Sequence, residues 1–367
     1  MGRKINIGFI GVGQIARQHL RAYQNIPDVN VVAAADVSEE ALARAAKDFN
    51  IPQTYSCFHE MLKSADIEAV DVCLHNNLHN PATIAALKAG KNVYCEKPLA
   101  GTYIDAVRMV ETAKKLHRKL HMQLGTLYAL ETRVAKKLID GGRLGRVYHG
   151  RSTGHRRRGR PYVDGYGTAQ FVKKPVSGGG ALYDMGVYHI GQMLYLMGNQ
   201  PIERITGKTY QETPIDPRRR KLSNYSVEEL GLGFVRFANG ASMDVIESWA
   251  VHMNGFESSM VLGSKGGIRL QPFGFFHQAA DMDLDTTIDP KAAQYRWANV
   301  HEEGGVYDSS QHHWIAALQG RVGLIPTASI GLNTMLVMEG IYLSQKLGRE
   351  VTAAEVKKMS VSKALDI

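Results

Sequence analysis

The chain has 367 residues, 44% of them hydrophobic and 22% charged, an ordinary globular balance that excludes wholesale disorder. At about 150 residues per domain the length implies two domains, and with no apolar run of about eighteen residues a membrane span is excluded. The net charge of +9 raises a nucleic-acid partner, but the basic residues fall in short clusters without a helix-turn-helix, zinc-finger or RNA-recognition pattern, so no nucleic acid is expected.

Residues 1–10 hold only a short apolar run, 5–10, which reads as a first strand rather than a signal peptide. It leads into Gly11-Val12-Gly13-Gln14-Ile15-Ala16 and a helical pattern through Tyr23. Strand, G-x-G-x-x-A turn and helix make a dinucleotide fingerprint. Gly11 allows the tight turn, Gly13 lets backbone approach a pyrophosphate, and Ala16 lets the helix pack on the sheet. Gln14 and Ile15 open the helix, whose free N–H groups and dipole suit phosphate. A second strand, 30–35, ends at Asp36, followed by Val37 and Ser38 with no arginine. Asp36 can accept from ribose hydroxyls and repels a 2′-phosphate, so NAD is favoured over NADP. Without a cofactor, the same segment is a glycine turn with Ser38 capping the next helix.

The alternation continues. Residues 38–49 read as helix, 69–74 as an apolar strand, 81–89 as a helix stopping at Gly90, 92–95 as a strand and 119–124 as another. Apolar strands alternating with helices indicate a parallel doubly wound sheet covered on both faces, with ligands at the strands' carboxyl ends. Two polar clusters fall there: His75-Asn76-Asn77 with His79, and Glu96-Lys97-Pro98. A cis Lys97-Pro98 bond is one way for the turn to aim Lys97 into the cleft. There its ammonium can meet a substrate hydroxyl and lower the pKa of an acid/base neighbour. Cys57, Cys73 and Cys95 are odd in number and scattered, with no metal-type pair. Free, mostly buried thiols and a reducing cytoplasm are the expectation.

At this point the sequence resembles the glucose–fructose oxidoreductase/inositol dehydrogenase (Gfo/Idh/MocA) superfamily. The resemblance rests on residues 11–16, on Asn76-Asn77-Leu78-His79 and on residues 90–100, and it extends over nearly the whole chain. It implies that Lys97 serves cofactor and substrate, with Asn76, His79 and Glu96 as further cofactor-site candidates. The family's Thr-Pro-Asn segment is Leu74-His75-Asn76 here, so only the asparagine matches.

Beyond 124 the alternation ends. A helix over 131–140 stops at Gly141-Gly142, and strand-like runs follow at 147–152, 202–211, 228–237, 241–250 and 256–262. Ala238-Asn239-Gly240 is a hairpin signal and 263–267 another turn. The expected architecture is therefore α/β: a Rossmann NAD-binding domain over 1–124, and an α+β substrate-binding and oligomerisation domain over 125–367 with an open, largely antiparallel sheet. An exposed sheet face needs a partner, so a homo-oligomer is expected, a dimer, tetramer or higher.

The chemically dense segment is 177–189. Gly178, Gly179 and Gly180 let a loop pass close to a ligand before a helix carrying Asp184, Tyr188 and His189. Asp184 and Tyr188 share a helix face, and His189 lies about 100° round. The resemblance supplies a Gly-Gly, Asp-x-Gly-x-His pattern whose histidine falls on Tyr188, as in the glucose–fructose oxidoreductase and dihydrodiol dehydrogenase branches. The pattern's trailing aspartate is Gly191 here. Arg156-Arg157-Arg158-Gly159-Arg160 resembles an arginine-rich loop of bacterial members, with Arg158 taken as a substrate contact.

Alcohol oxidation needs a base for the hydroxyl proton while hydride leaves carbon. Tyr188 is the first choice, with the Lys97 cation expected to favour its phenolate. His189 is the rival, better matched in unperturbed pKa, if the helix begins irregularly. Asp184 is expected to orient substrate hydroxyls. Core or anchoring roles are the bland alternative for Tyr188 and His189, and core placement is expected for Trp249, Trp297 and Trp314. His155, Asp184 and His189 do not demand a metal by spacing, and none is expected. With these residues, the resemblance implies an NAD-dependent dehydrogenase acting on a secondary alcohol of a pyranose sugar, glycoside or cyclitol. Competing readings are an NAD-dependent non-redox glycoside-cleaving enzyme, and a non-catalytic sugar or nucleotide sensor on the same fold.

Overall fold

The computed structural model describes residues 3–300 and 309–367; Met1 and Gly2, the start of the run read as leading into the first strand, lie outside the described residues. The first sheet contains β1 (Ile5–Ile10), β2 (Val29–Ala35), β3 (Gln53–Tyr55), β4 (Ala69–Val72), β5 (Asn92–Cys95) and β6 (Leu120–Met122) in the order β3-β2-β1-β4-β5-β6. All neighbours are parallel. Between them run α1 (Gln14–Gln24), α2 (Glu39–Phe49), α3 (Phe58–Ser64), α4 (Asn76–Lys88) and α5 (Tyr103–Lys115). Ser38 caps α2 by accepting from the Ala41 N–H at 3.2 Å.

The register fixes where the ligand edge lies. Ile10 pairs with Ala35 and with Val72, and Val72 pairs with Cys95. The residues that follow each strand, Gly11, Asp36, Cys73 and Glu96, therefore come off the sheet side by side. The strand order reverses between β1 and β4, the crevice where such sheets take their ligands.

The second sheet is larger than the sequence pattern implies. It contains β7 (Val147–His155), β8 (Ile202–Tyr210), β9 (Leu230–Phe237), β10 (Ser242–Ser248), β11 (Met260–Gly263), β12 (Gly266–Arg269), β13 (Gly274–Ala279), β14 (Met282–Thr286) and β15 (Val351–Thr352), in the order β14-β13-β12-β11-β7-β10-β9-β8-β15. Only β7 and β10 pair in parallel. The β9–β10 hairpin turns at Ala238-Asn239-Gly240 as expected, whereas β12, β13 and β14 extend the sheet past the last expected strand. Burial alternates along β7, β9 and β10. Met243, Val245, Val235 and Val261 are in the core; Leu232, Phe234, Ile246 and Met260 lie on the opposite, less buried face.

The 21-residue helix Thr327–Leu347 ties the two sheets together. Thr327 at its start accepts from the Met122 N–H of β6 at 2.8 Å, and one hydrophobic cluster runs from Val72 and Cys95 through this helix to Val235 and Val245. The last residues return to the first sheet: Ser362 donates to Asp105 on α5, and the Leu365 N–H to the Asn77 carbonyl at the start of α4. Among the described residues no helix is long and apolar enough to cross a membrane. Cys73 and Cys95 are buried free thiols, and Cys57 is half-buried.

Candidate functional site

Gly11 sits at φ +88°, and a Cβ there would fall 2.4 Å from the Cys73 carbonyl just past β4, so only glycine makes the turn from β1 into α1. Gly13 is the opposite case. A Cβ there would meet no protein atom within 4 Å, so the protein's own packing does not require the glycine. It caps the N-terminus of α1, where Gln14 and Ile15 open the first turn. This is the cradle a pyrophosphate fits. Asp36 holds it in shape: its Oδ2 accepts from the Val12 N–H at 2.8 Å and its Oδ1 from the Ser38 N–H at 2.9 Å. Val37 beside it is 93% exposed.

The Lys97-Pro98 peptide is cis. Glu96 and His79, expected at the cofactor, are nearly fully buried instead and support this turn from behind. Glu96 accepts the Lys97 N–H at 2.9 Å. His79 Nδ1 lies 2.7 Å from the Pro98 carbonyl and Nε2 3.1 Å from that of Leu74. Burial lowers its pKa, so as a neutral ring it donates through one nitrogen only, and the shorter contact is the one to Pro98. Asn76 also points across the molecule: its Nδ2 donates to the Ser177 carbonyl at 2.7 Å, joining α4 to the glycine-rich loop.

That loop is shaped by Glu228, which the sequence reading missed. Its carboxylate accepts from the N–H groups of Gly180 (2.8 Å) and Leu182 (3.0 Å) and from the Tyr342 hydroxyl. A Cβ on Gly180 would overlap the Glu228 carbonyl, so this approach also requires glycine. The helix then begins irregularly. Leu182–Gly186 is a π-turn, and the α-helix proper is Val187–Leu196. Gly191, where the family pattern has aspartate, packs against Leu124: a Cβ there would lie 2.8 Å from that side chain.

The π-turn brings Asp184, Lys97 and Tyr188 together. Lys97 Nζ donates to Asp184 Oδ1 at 3.2 Å and to its carbonyl at 3.3 Å, and lies 4.6 Å from the centre of the Tyr188 ring. Asp184 Oδ2 takes Trp249 Nε1 at 3.0 Å, with Arg156 Nη1 and the Tyr166 hydroxyl each at 3.4 Å. Asp184 was expected to orient substrate hydroxyls, but both oxygens already have protein donors. Arg156 and Tyr166, themselves hydrogen-bonded, carry the polar surface outward from it. Arg158 does not join the cluster: its side chain is 74% exposed and reaches Asp164 at 3.4 Å. Arg160 is buried, paired with Asp164 at 2.8 Å and Glu229 at 2.9 Å, and anchors the loop that presents Arg156. Trp249 and Trp314 are in the core, whereas Trp297 is half-buried beneath Arg133 and Lys137.

The electrostatics follow from these contacts. Burial alone would lower the Lys97 pKa, but Asp184, Tyr188 and Glu96 outweigh it and raise it, so Lys97 is a cation. Burial raises Asp184, yet Lys97 and Arg156 hold it below the usual carboxylate range. Tyr188 overturns one expectation. Burial raises its pKa, Glu96 and Asp184 add to this, and the lowering by Lys97 does not compensate. The ammonium is already neutralised by Asp184, so Tyr188 is a protonated phenol at neutral pH.

His189 stands apart, towards the sheet. Its Nδ1 lies 2.9 Å from Glu247 Oε2, and Ser152 donates to the other Glu247 oxygen at 3.0 Å. Burial lowers the His189 pKa, Glu247 more than restores it, and the net shift is upward. Glu247, fully buried on β10, was not foreseen; a lone acid in an alternating strand carries no signal of its partner. His155 turns away from Asp184 and His189, its Nε2 3.1 Å from the Met253 carbonyl and its ring edge-on to Phe256.

Comparison with known proteins assigns the chain to a family. Residues 5–124 match the GFO_IDH_MocA family model, an oxidoreductase family with an NAD-binding Rossmann fold, and residues 132–269 match the GFO/IDH/MocA C-terminal domain model. D-glucoside 3-dehydrogenase of Escherichia coli (strain K12) is 27% identical over 357 residues, 95% of this chain and 97% of that protein. Myo-inositol 2-dehydrogenase of Thermotoga maritima is 28% identical over 265 residues, 72% of this chain and 74% of that protein. A solved levoglucosan dehydrogenase in complex with NADH superposes with a TM-score of 0.81 at 23% identity, covering 96% of this chain and 99% of that one, and shares the fold.

Proposed function

The chain belongs to the Gfo/Idh/MocA oxidoreductase family, with NAD as cofactor, and from that premise we propose that it oxidises a secondary ring alcohol of a pyranose sugar, glycoside or cyclitol to the ketone. The observation that carries the reading is the Lys97–Asp184–Tyr188 cluster, set where β5 ends and beside the glycine turn of β1. The substrate class rests on the relatives named for glucoside and inositol oxidation. We take residues 1–124 as the cofactor domain and 125–367 as the substrate and oligomerisation domain. A second copy would cover the face of Leu232, Phe234, Ile246 and Met260.

The residues present fit NAD: Gly11, Gly13, Gln14 and Ile15 would hold its pyrophosphate, Asp36 its adenosine ribose, and Lys97 would serve its nicotinamide end. When bound it accepts the hydride. The chain's residues handle the proton. Lys97, fixed by Asp184, places a cation where the substrate oxygen becomes negative, which favours loss of the hydroxyl proton. Tyr188 is the group beside it able to exchange that proton. As a protonated phenol it suits donation to a carbonyl oxygen in the reverse reaction, and oxidation should speed up as pH rises. Arg156 and Tyr166 hold the far side of the sugar. One observation favours a second assignment: Glu247 fixes the His189 ring through Nδ1, the arrangement that frees Nε2 for acid/base work.

The test is NAD reduction by purified protein against a panel of pyranoses, glycosides and inositols, with mass analysis for keto-sugars and released aglycones. Reduction with one ring-alcohol class, yielding its ketone, is the expected result. Aglycone release without net NADH would replace the dehydrogenase by a non-redox cleaving enzyme. Neither product, despite NAD binding, would indicate a sensor.

A further inference from the structure

The first domain carries a buried ionic group that the proton chemistry above does not use. His19 on α1 has Nδ1 2.9 Å from Asp71 Oδ2 and Nε2 2.8 Å from Glu96 Oε1. All three side chains are nearly inaccessible. An imidazole whose two nitrogens each face a carboxylate oxygen satisfies both contacts only as the imidazolium. The surroundings agree. Burial alone would lower the His19 pKa, and Asp71 and Cys73 reverse this. Burial also keeps the Cys73 thiol protonated, and it donates to Asp71 at 3.2 Å. Tyr94 packs against the His19 ring in a T-shaped arrangement, ring centroids 5.6 Å apart. His19, Asp71 and Cys73 approach within 4.8 Å, as metal ligands would, but a ring with both nitrogens turned to carboxylates has no lone pair to give.

Glu96 is the link outward. One of its oxygens takes His19, and the other takes the backbone N–H of Lys97 at 2.9 Å. The helix that starts at the glycine turn is thereby connected to the lysine through a single side chain.

We propose that His19 is a positioning residue for Lys97: it fixes Glu96, Glu96 fixes the Lys97 backbone, and the cofactor-binding helix so sets where the ammonium meets Asp184 and Tyr188. The catalytic consequence rests on the role given to Lys97 above; the positioning itself does not. Anchoring α1 to β4 and β5 would by itself affect only stability, so the test must read Lys97 directly.

His19→Gln and Glu96→Gln are compared with the wild type by acetic anhydride labelling mapped by mass spectrometry, with thermal unfolding and sugar turnover measured in parallel. Glu96→Gln retains an acceptor for the Lys97 N–H while losing the charge that His19 holds, and it carries the test should His19→Gln not fold. The expected result is a folded variant in which Lys97 labels about fivefold faster relative to exposed Lys47. Its kcat falls about tenfold or more with little change in sugar KM. In His19→Gln the pH limb of kcat also moves upward, because Glu96 then bears on Tyr188 without its counter-charge. Unchanged Lys97 labelling in a folded variant overturns the proposal. A uniform rise at all lysines overturns it too, since that reports general loosening. A wild type that oxidises no sugar overturns the dehydrogenase reading alone, and the labelling still decides the role of His19.

Discussion

The two halves of the molecule build their sites from different material. At the nucleotide end the working surface is backbone: a glycine turn, the first N–H groups of α1, and one carboxylate, Asp36, that hydrogen-bonds the turn itself. At the end we propose to be catalytic it is a side-chain network drawn from four separated stretches, with Lys97, Arg156, Tyr166 and Trp249 all converging on Asp184. A backbone site is set by local sequence and tolerates change around it. A side-chain network is cooperative, so removing one member leaves the others' charges unbalanced. The catalytic half should therefore fail more sharply.

Lys97→Ala is the strongest break, expected to cost about 10³-fold in kcat with NAD affinity nearly constant, as measured by steady-state kinetics and NADH fluorescence titration. Loss of NAD affinity without loss of kcat would move Lys97 to the cofactor side of the comparison. Tyr188→Phe should cost about 10²-fold, and more than His189→Gln. The pH profile sharpens the choice. A Tyr188 base with its raised pKa makes oxidation climb through and beyond the range where histidine titrates. A His189 base makes it level off earlier, on the alkaline side of the ordinary histidine range. At the nucleotide end Asp36→Ala should weaken NAD about tenfold and narrow the preference over NADP, with kcat preserved.

The last effect bears on stability rather than turnover and concerns the seam between the halves. His121 on β6 and His313 on the helix Ser310–Leu318 pack with ring centroids 5.8 Å apart and planes tilted by 45°, and burial pushes their pKa values down to about 3 and about 4. Both are neutral when folded. As pH falls below about 6.5 the unfolded chain takes up protons that the folded chain refuses, so stability declines from there towards pH 4, by at most about 1.4 kcal/mol per pH unit per histidine. Denaturant unfolding of His121→Gln should show a shallower acid slope. An identical slope would place the seam's acid sensitivity elsewhere.

The parts visible in the sequence were those made by neighbours in the chain. Residues 5–36 contain the whole strand, turn, helix and acidic strand end, because the turn needs Gly11 where it stands and the apolar runs repeat at strand spacing. Lys97 was visible through its Glu-Lys-Pro context, and Asp184, Tyr188 and His189 through the glycine-rich loop before them. Less visible was which arginine faces inward. Arg156 and Arg158 are equivalent as sequence, and only the burial of Arg160 against Asp164 and Glu229 fixes the loop that separates them. Glu228 and Glu247 were not singled out and Trp249 was read as core, since a buried acid or indole acquires a role only from a partner far along the chain.

The sequence by itself therefore determined the fold class, the glycine turn after β1 and the place of Lys97 at a strand end, because these depend on periodicity and on steric limits that act within a few residues. Tertiary structure alone decided the charges. Lys97 spends its cation on Asp184, Tyr188 stays protonated, and Glu96 turns inward to His19. Each outcome depends on burial and on charges brought within a few ångströms from distant stretches, and a linear pattern does not carry those distances.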